Sequence, residues 1–143
     1  MKVSSKGEYC LRALIMLAVK KEERLTVDEI SKATHVTPAY LEKLLSQLKT
    51  LGYINSKRGT RGGFMLQLAP KDIKIGEVIR KLEGPLAPMS CVSVTSYQEC
   101  ALEGSCMLKP LWGLVRDTVA DVLDRTTLAD LVEGNIGSYR EVI

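Results

Sequence analysis

The sequence predicts a mostly α-helical fold with one small β-hairpin. Three observations carry that expectation. Apolar residues recur three and four apart over most of the chain, two short β-type segments flank a tip rich in glycine and cations at 57–63, and a long helical stripe follows residue 107. With 143 residues, 45% hydrophobic and 26% charged, and with 11 glycines and 5 prolines, the chain has the profile of one globular unit. Collagen, low-complexity and multidomain architectures are excluded on that arithmetic.

Leu11, Leu14, Ile15, Ala18 and Val19 place an amphipathic first helix over residues 5–20, and Lys20, Lys21, Glu22 and Glu23 end it in a charged loop. Thr26 precedes Glu29 by three residues, the spacing of a reciprocal capping box, so a short second helix runs from Val27 to about Thr34. His35 and Val36 make a turn. Thr37 then caps a third helix whose first position is Pro38, where a missing amide hydrogen matters least. Its apolar face is Tyr40, Leu41, Leu44, Leu45, Leu48 and Leu51, and Gly52 closes it. Two helices joined in this way form a helix-turn-helix.

Tyr53 to Ser56 and Phe64 to Gln67 read as two strands, joined by Lys57-Arg58-Gly59-Thr60-Arg61-Gly62-Gly63. Glycines at such a tip permit positive φ and close backbone approach, and three cations give that approach an electrostatic purpose. The hairpin is the wing of a winged helix-turn-helix. Ile75, Val78, Ile79 and Leu82 mark a fourth helix closed by Gly84, which completes a DNA-binding domain at 1–84.

Periodicity then disappears from Pro85 to Ser105, and a loop that long needs a function to be ordered. Residues 85–106 are assigned as a cysteine-containing loop. Beyond it, Leu108, Trp112, Val115, Val119 and Val122 step by four, three, four and three, the spacing of a coiled-coil seam that Leu111 and Leu123 widen. Residues 107–143 are assigned as a dimerisation helix with a C-terminal tail, in which a last short helix follows Thr126 or Thr127.

The apolar run Leu14 to Val19 is far short of the roughly 18 to 20 residues that cross a bilayer, and the first residues lack the layout of a signal peptide. A cytoplasmic protein with no membrane partner is expected. Net charge is +3 but unevenly placed: residues 1–80 hold fifteen Lys and Arg against eight Asp and Glu, and residues 81–143 hold five against nine. A basic front and an acidic rear suit a polyanion approached from the N-terminal side.

In this arrangement the third helix enters the major groove and the wing follows the backbone or the minor groove. Its outward residues include Pro38, Ala39, Glu42 and Lys43, with Ser46 and Gln47 further along. Glu42 has the chemistry to accept from a cytosine amino group, although a pair with a neighbouring cation on the helix face serves it equally. Lys57, Arg58 and Arg61 suit phosphate or minor-groove contact. The expected DNA-contacting set is Thr37, Ala39, Tyr40, Glu42 and Lys43 from the helix, with Lys57, Arg58, Thr60, Arg61 and Gly62 from the wing. A homodimer built on the long helix would read a palindromic duplex operator through two such heads.

Cys91, Cys100 and Cys106 are separated by eight and five residues, neither being the short gap of paired zinc cysteines. Thiolates in a longer irregular loop suit an iron-sulfur cluster, and a redox-active thiol pair is the other reading. The loop offers three ligands where a cluster takes four. Glu8, Cys10 and His35 are the remaining candidates, each with a plain structural role available: Glu8 at a helix start, Cys10 on an apolar face, His35 in a turn.

Taken together, several motifs resemble the IscR, NsrR and CymR type of bacterial winged-helix regulators over nearly the whole chain. They are Met1 to Arg12, Ala39-Tyr40-Leu41-Glu42-Lys43-Leu44, Ser56 to Phe64, Ile75-Gly76-Glu77-Val78-Ile79, Leu111-Trp112 and Thr127 to Val132. The resemblance implies a dimer held by the long C-terminal helix, DNA recognition by the third helix and wing, and control of transcription. It sets Glu42 on a glutamate used in choosing DNA sites and Arg58 on a wing arginine. Cys91, Cys100 and Cys106 fall on the cluster cysteines of the iron-sulfur members, which the cysteine-metabolism members lack.

Lys109 stands where iron-sulfur members have a histidine, and the first cysteine gap is longer than theirs. Relatives that recruit an acidic residue from the partner's first helix make Glu8 the leading fourth ligand, with His35 second. The resulting expectation is a repressor whose DNA binding follows a cluster, two-iron (2Fe-2S) ahead of four-iron (4Fe-4S), that senses iron status, redox state or nitric oxide. The alternative is a cluster-free repressor of cysteine or sulfur metabolism, regulated through thiols or a partner. An iron-sulfur electron carrier leaves the basic hairpin idle, and an enzyme lacks any constellation of nucleophile, base and oxyanion donors.

Overall fold

The computed structural model describes residues 1–137 and gives six α-helices and one hairpin. Of the dimerisation helix and C-terminal tail assigned to 107–143, residues 138–143 lie outside the described residues. The helices are α1 (Ser5–Val19), α2 (Val27–Thr34), α3 (Pro38–Thr50), α4 (Ile75–Glu83), α5 (Lys109–Arg125) and α6 (Leu128–Glu133). The strands are β1 (Ile54–Lys57) and β2 (Gly63–Leu66), antiparallel, with Ile54 opposite Leu66 and Lys57 opposite Gly63.

Local chemistry starts and stops these elements where the sequence indicates. Thr26 and Glu29 form both bonds of the capping box at α2. A second box, Thr127 with Asp130, starts α6, and Gly134 ends it in the left-handed conformation. Pro38 occupies the first turn of α3, but the Thr37 side chain makes no capping hydrogen bond, so the proline alone sets that start. Single 3-10 turns at Ser90–Val92 and Glu103–Ser105 punctuate the otherwise irregular cysteine loop.

The core is one cluster, drawn from α1, α2, α3, β1 and α4: Leu14, Leu17, Ile30, Leu41, Leu45, Leu48, Ile54 and Val78 are essentially sealed from solvent. At roughly 1.5–3 kcal/mol for each buried aliphatic side chain, these contacts dominate the stability of the N-terminal unit. After α5 the chain returns to that core. Leu128 is fully buried, and Leu131 and Val132 pack against the cluster.

Two long-range polar contacts tie the start of α1 to the end of α4. Ser4 donates to Glu83 Oε1 from its amide at 2.9 Å and from its hydroxyl at 2.6 Å, joining the start of α1 to the end of α4. These bonds hold the Glu83 carboxyl below its ordinary value of 4.5. A depressed folded-state value means that the unfolded chain binds the proton more readily, so the stabilisation is present above about pH 4.5 and fades as pH falls below it. Thermal melting at about pH 3.5 and pH 6 is expected to show a smaller acid loss for Glu83→Gln than for the wild type.

Candidate functional site

Three short stretches of chain build the wing, one more than the hairpin pattern predicts. Leu25 bonds Phe64 in both directions, N–H to O at 2.9 Å and 2.8 Å, adding a one-residue third strand. Gly63 makes this possible. Its φ is +132°, and a Cβ there would lie 2.7 Å from the Leu25 carbonyl oxygen. The Arg24 guanidinium donates to the Gly63 carbonyl at 3.2 Å, and Lys49 at the end of α3 donates to Ser56 Oγ at 2.7 Å. The hairpin is thus braced from the loop after α1 on one side and from α3 on the other.

At the tip, the Gly62 amide donates to the Gly59 carbonyl at 3.0 Å, closing the turn. Lys57, Arg58, Thr60 and Arg61 are exposed, and Gly62 is half-buried in the turn. Among the described residues, none of the three tip cations takes part in an ion pair. Their charge remains available to a polyanion.

Thr37, at the N-cap of α3, and Ala39, Glu42 and Lys43 in its first turns are exposed, while Leu41, Leu44, Leu45 and Leu48 face the core. Tyr40 departs from the apolar face assigned to it: it is 39% exposed, and its ring meets Tyr9 of α1 edge to face, 6.3 Å between centroids and 84° between planes. A ring in the first turn of α3 lies above the leucine layer, and α1 supplies its neighbour. Tyr40 therefore belongs with the exposed residues near the start of α3.

His35 is the C-cap of α2, exposed and left-handed at φ 58°, with its amide bonded to the Ser31 carbonyl at 2.9 Å. It serves the turn.

The three loop cysteines are free thiols, Cys100 exposed and the other two half-buried. Cys91 and Cys106 line an open cleft of about 510 Å³ with Tyr97, Lys109 and Arg116; Cys100 does not line it. Arg116 of α5 donates to the Val92 carbonyl at 2.7 Å, next to Cys91. Glu103 organises the other side, accepting from Lys109 and, at 2.6 Å, from the Tyr97 hydroxyl, while the Cys100 amide points to it at 3.4 Å. Lys109, and secondarily Tyr97, holds the Glu103 carboxyl below the ordinary range; in turn the bond to Glu103 pushes the Tyr97 hydroxyl up to about 12.

Sequence reasoning misses Glu103 and Arg116. A lone glutamate in an aperiodic loop and an arginine on a helix flank carry no local signal.

Among the described residues, no three His, Cys, Asp or Glu side chains converge to hold a metal. Glu8 accepts from Arg12 at 2.6 Å on the surface of α1. Cys10 is fully buried, and burial pushes its thiol up to about 11, so it is a core residue. Cys91 and Cys106 share a cleft that Cys100, Glu8 and His35 do not line. Alkylation of the native protein is expected to label Cys100 first and to spare Cys10 until denaturation, read by mass spectrometry of the digested peptides.

Helix α5 completes the site's frame. None of its residues is fully buried. Trp112, Val115, Val119 and Val122 of the expected seam are half-covered, whereas Leu108, Leu111 and Leu114 are 55%, 48% and 64% exposed. No described helix is long and apolar enough to cross a membrane.

The comparisons with known proteins agree with this geometry. The Rrf2 family, described as iron-dependent transcriptional regulator, matches residues 3–134. The HTH-type transcriptional regulator CymR of Bacillus subtilis (strain 168) is 41% identical over 132 residues, covering 92% of this chain and 89% of that protein. The solved structure of CymR (YrzC), the global cysteine regulator of B. subtilis, superposes with a TM-score of 0.76 at 36% identity, over 94% of this chain and 98% of that one. T. potens IscR gives 0.72 at 30% identity, over 100% and 97%. With a family match over nearly the whole chain and relatives that are regulators rather than enzymes, the chain belongs to the Rrf2 family of winged-helix transcriptional regulators.

Proposed function

We propose that this chain represses transcription in the cytoplasm as a homodimer on a palindromic duplex operator, as a cluster-free regulator of cysteine or sulfur metabolism. The observation that carries the DNA reading is the pairing of unneutralised Lys57, Arg58 and Arg61 on a doubly braced wing with the exposed start of α3. Thr37, Ala39, Tyr40, Glu42 and Lys43 face bases and backbone from the helix; Lys57, Arg58, Thr60, Arg61 and Gly62 follow the phosphates from the wing. The 41% identity to CymR supports the sulfur-metabolism assignment. The input is the thiol state of the loop, where Cys91 adjoins the Val92 carbonyl held by Arg116 of α5, or a partner protein that docks there.

Differential affinity between two states of the loop is what regulation requires. A duplex selected by the protein from a random pool, titrated with fully reduced and disulfide-treated protein, tests this. Unequal affinities support thiol control; equal affinities with Cys91, Cys100 and Cys106 all modified contradict it.

A second reading is favoured by one observation, that Cys91 and Cys106 line a single cleft beside two cations. It is an iron-sulfur cluster, two-iron ahead of four-iron, on Cys91, Cys100 and Cys106 with Glu8 or His35. The loop would have to close, and Glu8 would come from the second subunit after leaving Arg12. Iron and sulfide analysis of anaerobically isolated protein decides it: stoichiometric iron and sulfide favour the cluster, and their absence favours the cluster-free regulator.

A further inference from the structure

The joint between the DNA-reading head proposed above, residues 1–84, and α5 consists of a pivot and a strut. The pivot is main chain. The Ile75 amide donates to the Thr126 carbonyl at 2.9 Å, and the Leu128 amide donates to the Ile73 carbonyl at 2.8 Å, which anchors the exit of α5 to the entry of α4. Such bonds fix where the two helices meet. They leave the angle of α5 about that point to side chains.

The strut is Arg80 of α4 with Asp124 of α5, bonded at both oxygens, Nη1 to Oδ1 at 2.6 Å and Nη2 to Oδ2 at 2.9 Å. A two-point planar contact fixes orientation as well as distance, which a single ammonium contact does not. Gly76 opens the space for it: a Cβ there would lie 2.0 Å from Asp124 Oδ1 and 3.1 Å from the Asp124 amide nitrogen. Both ends of the strut are rigid in the needed sense. Val78, Ile79 and Leu82 lock α4 into the core, and Asp124 lies in the last turn of α5.

We infer that Arg80 and Asp124 are positioning residues that set the angle between reading head and α5, and through it the half-site spacing that the dimer accepts. This rests on the dimeric DNA-binding reading above. Leverage makes the angle matter. Over the 17 residues of α5, about 25 Å of helix, a tilt of about 10° displaces the far end by about 4 Å. That exceeds the rise of about 3.4 Å between base pairs, so a loose strut blurs spacing by one step. No residue of the strut needs to touch DNA.

Arg80→Lys keeps the charge and the helix but loses the two-point contact, and Asp124→Asn keeps the volume; thermal melts confirm that both fold. Each is titrated with the duplex that the wild type selects from a random pool, and with versions lengthened or shortened by one central base pair. The wild type is expected to prefer the selected spacing by about tenfold and each variant by less than about threefold, with the salt dependence of binding unchanged. Spin labels carried on a non-natural residue at position 71 of each subunit supply a readout without DNA: a narrow intersubunit distance in the wild type and a broader one in both variants. Unchanged spacing preference and unchanged distance width in the variants would overturn the strut. A wild type that selects no duplex, or shows no intersubunit distance, overturns the dimeric DNA-binding reading itself and the strut with it.

Discussion

Replacing Leu111 and Leu114 together by aspartate is expected to leave the protein monomeric and to lower operator affinity by about a hundredfold or more. Both leucines are among the most exposed apolar residues of α5, a helix with no fully buried residue, so the substitution removes no contact from the monomer's core. In a paired α5 it withdraws two large apolar groups, each contributing roughly 1.5–3 kcal/mol per copy, and adds four like charges near the two-fold axis. A separated head then binds one half-site alone, and the gain of about 10²–10⁴ from linked binding disappears. Sedimentation and DNA titration on the same samples check both parts; a dimer that survives the substitution would remove α5 from the interface.

Arg58→Ala with Arg61→Ala is expected to weaken duplex binding strongly at low salt while leaving melting temperature and subunit mass unchanged. Both side chains are exposed and neither appears in an ion pair among the described residues, so little folded-state energy depends on them. Each phosphate contact contributes roughly one unit to the slope of log affinity against log salt. The double variant should therefore lose about two units of slope, almost uniformly over DNA sequences. An unchanged slope would place the wing away from the backbone. Gly63→Ala is the geometric counterpart, since it would separate the hairpin from Leu25 with the cations intact.

The readable parts of this molecule are those written within a few residues of each other. The capping box at Thr26 and Glu29, Pro38 at the start of α3 and the two strands around a Gly-rich tip all appear at or within one residue of where the pattern sets them. Tyr40 escapes the pattern because its neighbour, Tyr9, is 31 positions away on α1, and periodicity cannot tell a ring at the edge of a core from one inside it. Leu25 gives no strand signal because a single paired residue shows no alternation. Arg80 and Asp124 lie 44 positions apart, and each has a charge pattern ordinary for a helix surface. The cysteine loop is legible as an anomaly, an aperiodic stretch with three thiols, while Glu103, Tyr97 and Lys109 around it are assembled only by the fold.

That division has a functional consequence. The wing and the start of α3, which we propose read DNA, are local devices on the core, whereas the parts that would report chemical state are contacts between the loop and α5: Arg116 with the Val92 carbonyl and Lys109 with Glu103. Modification of Cys91 or Cys106 occurs within one to three residues of those contacts, while the reading head's own thiol, Cys10, is sealed in the core. Modification at the loop thus falls beside contacts with α5, and neither of those contacts involves α3.

The most direct measurement is sedimentation equilibrium of the wild-type protein with a selected palindromic duplex over a range of salt. Two chains per duplex, with affinity falling steeply as salt rises, is the predicted result. One chain per duplex, or binding indifferent to salt, would contradict a basic winged-helix pair assembled through α5.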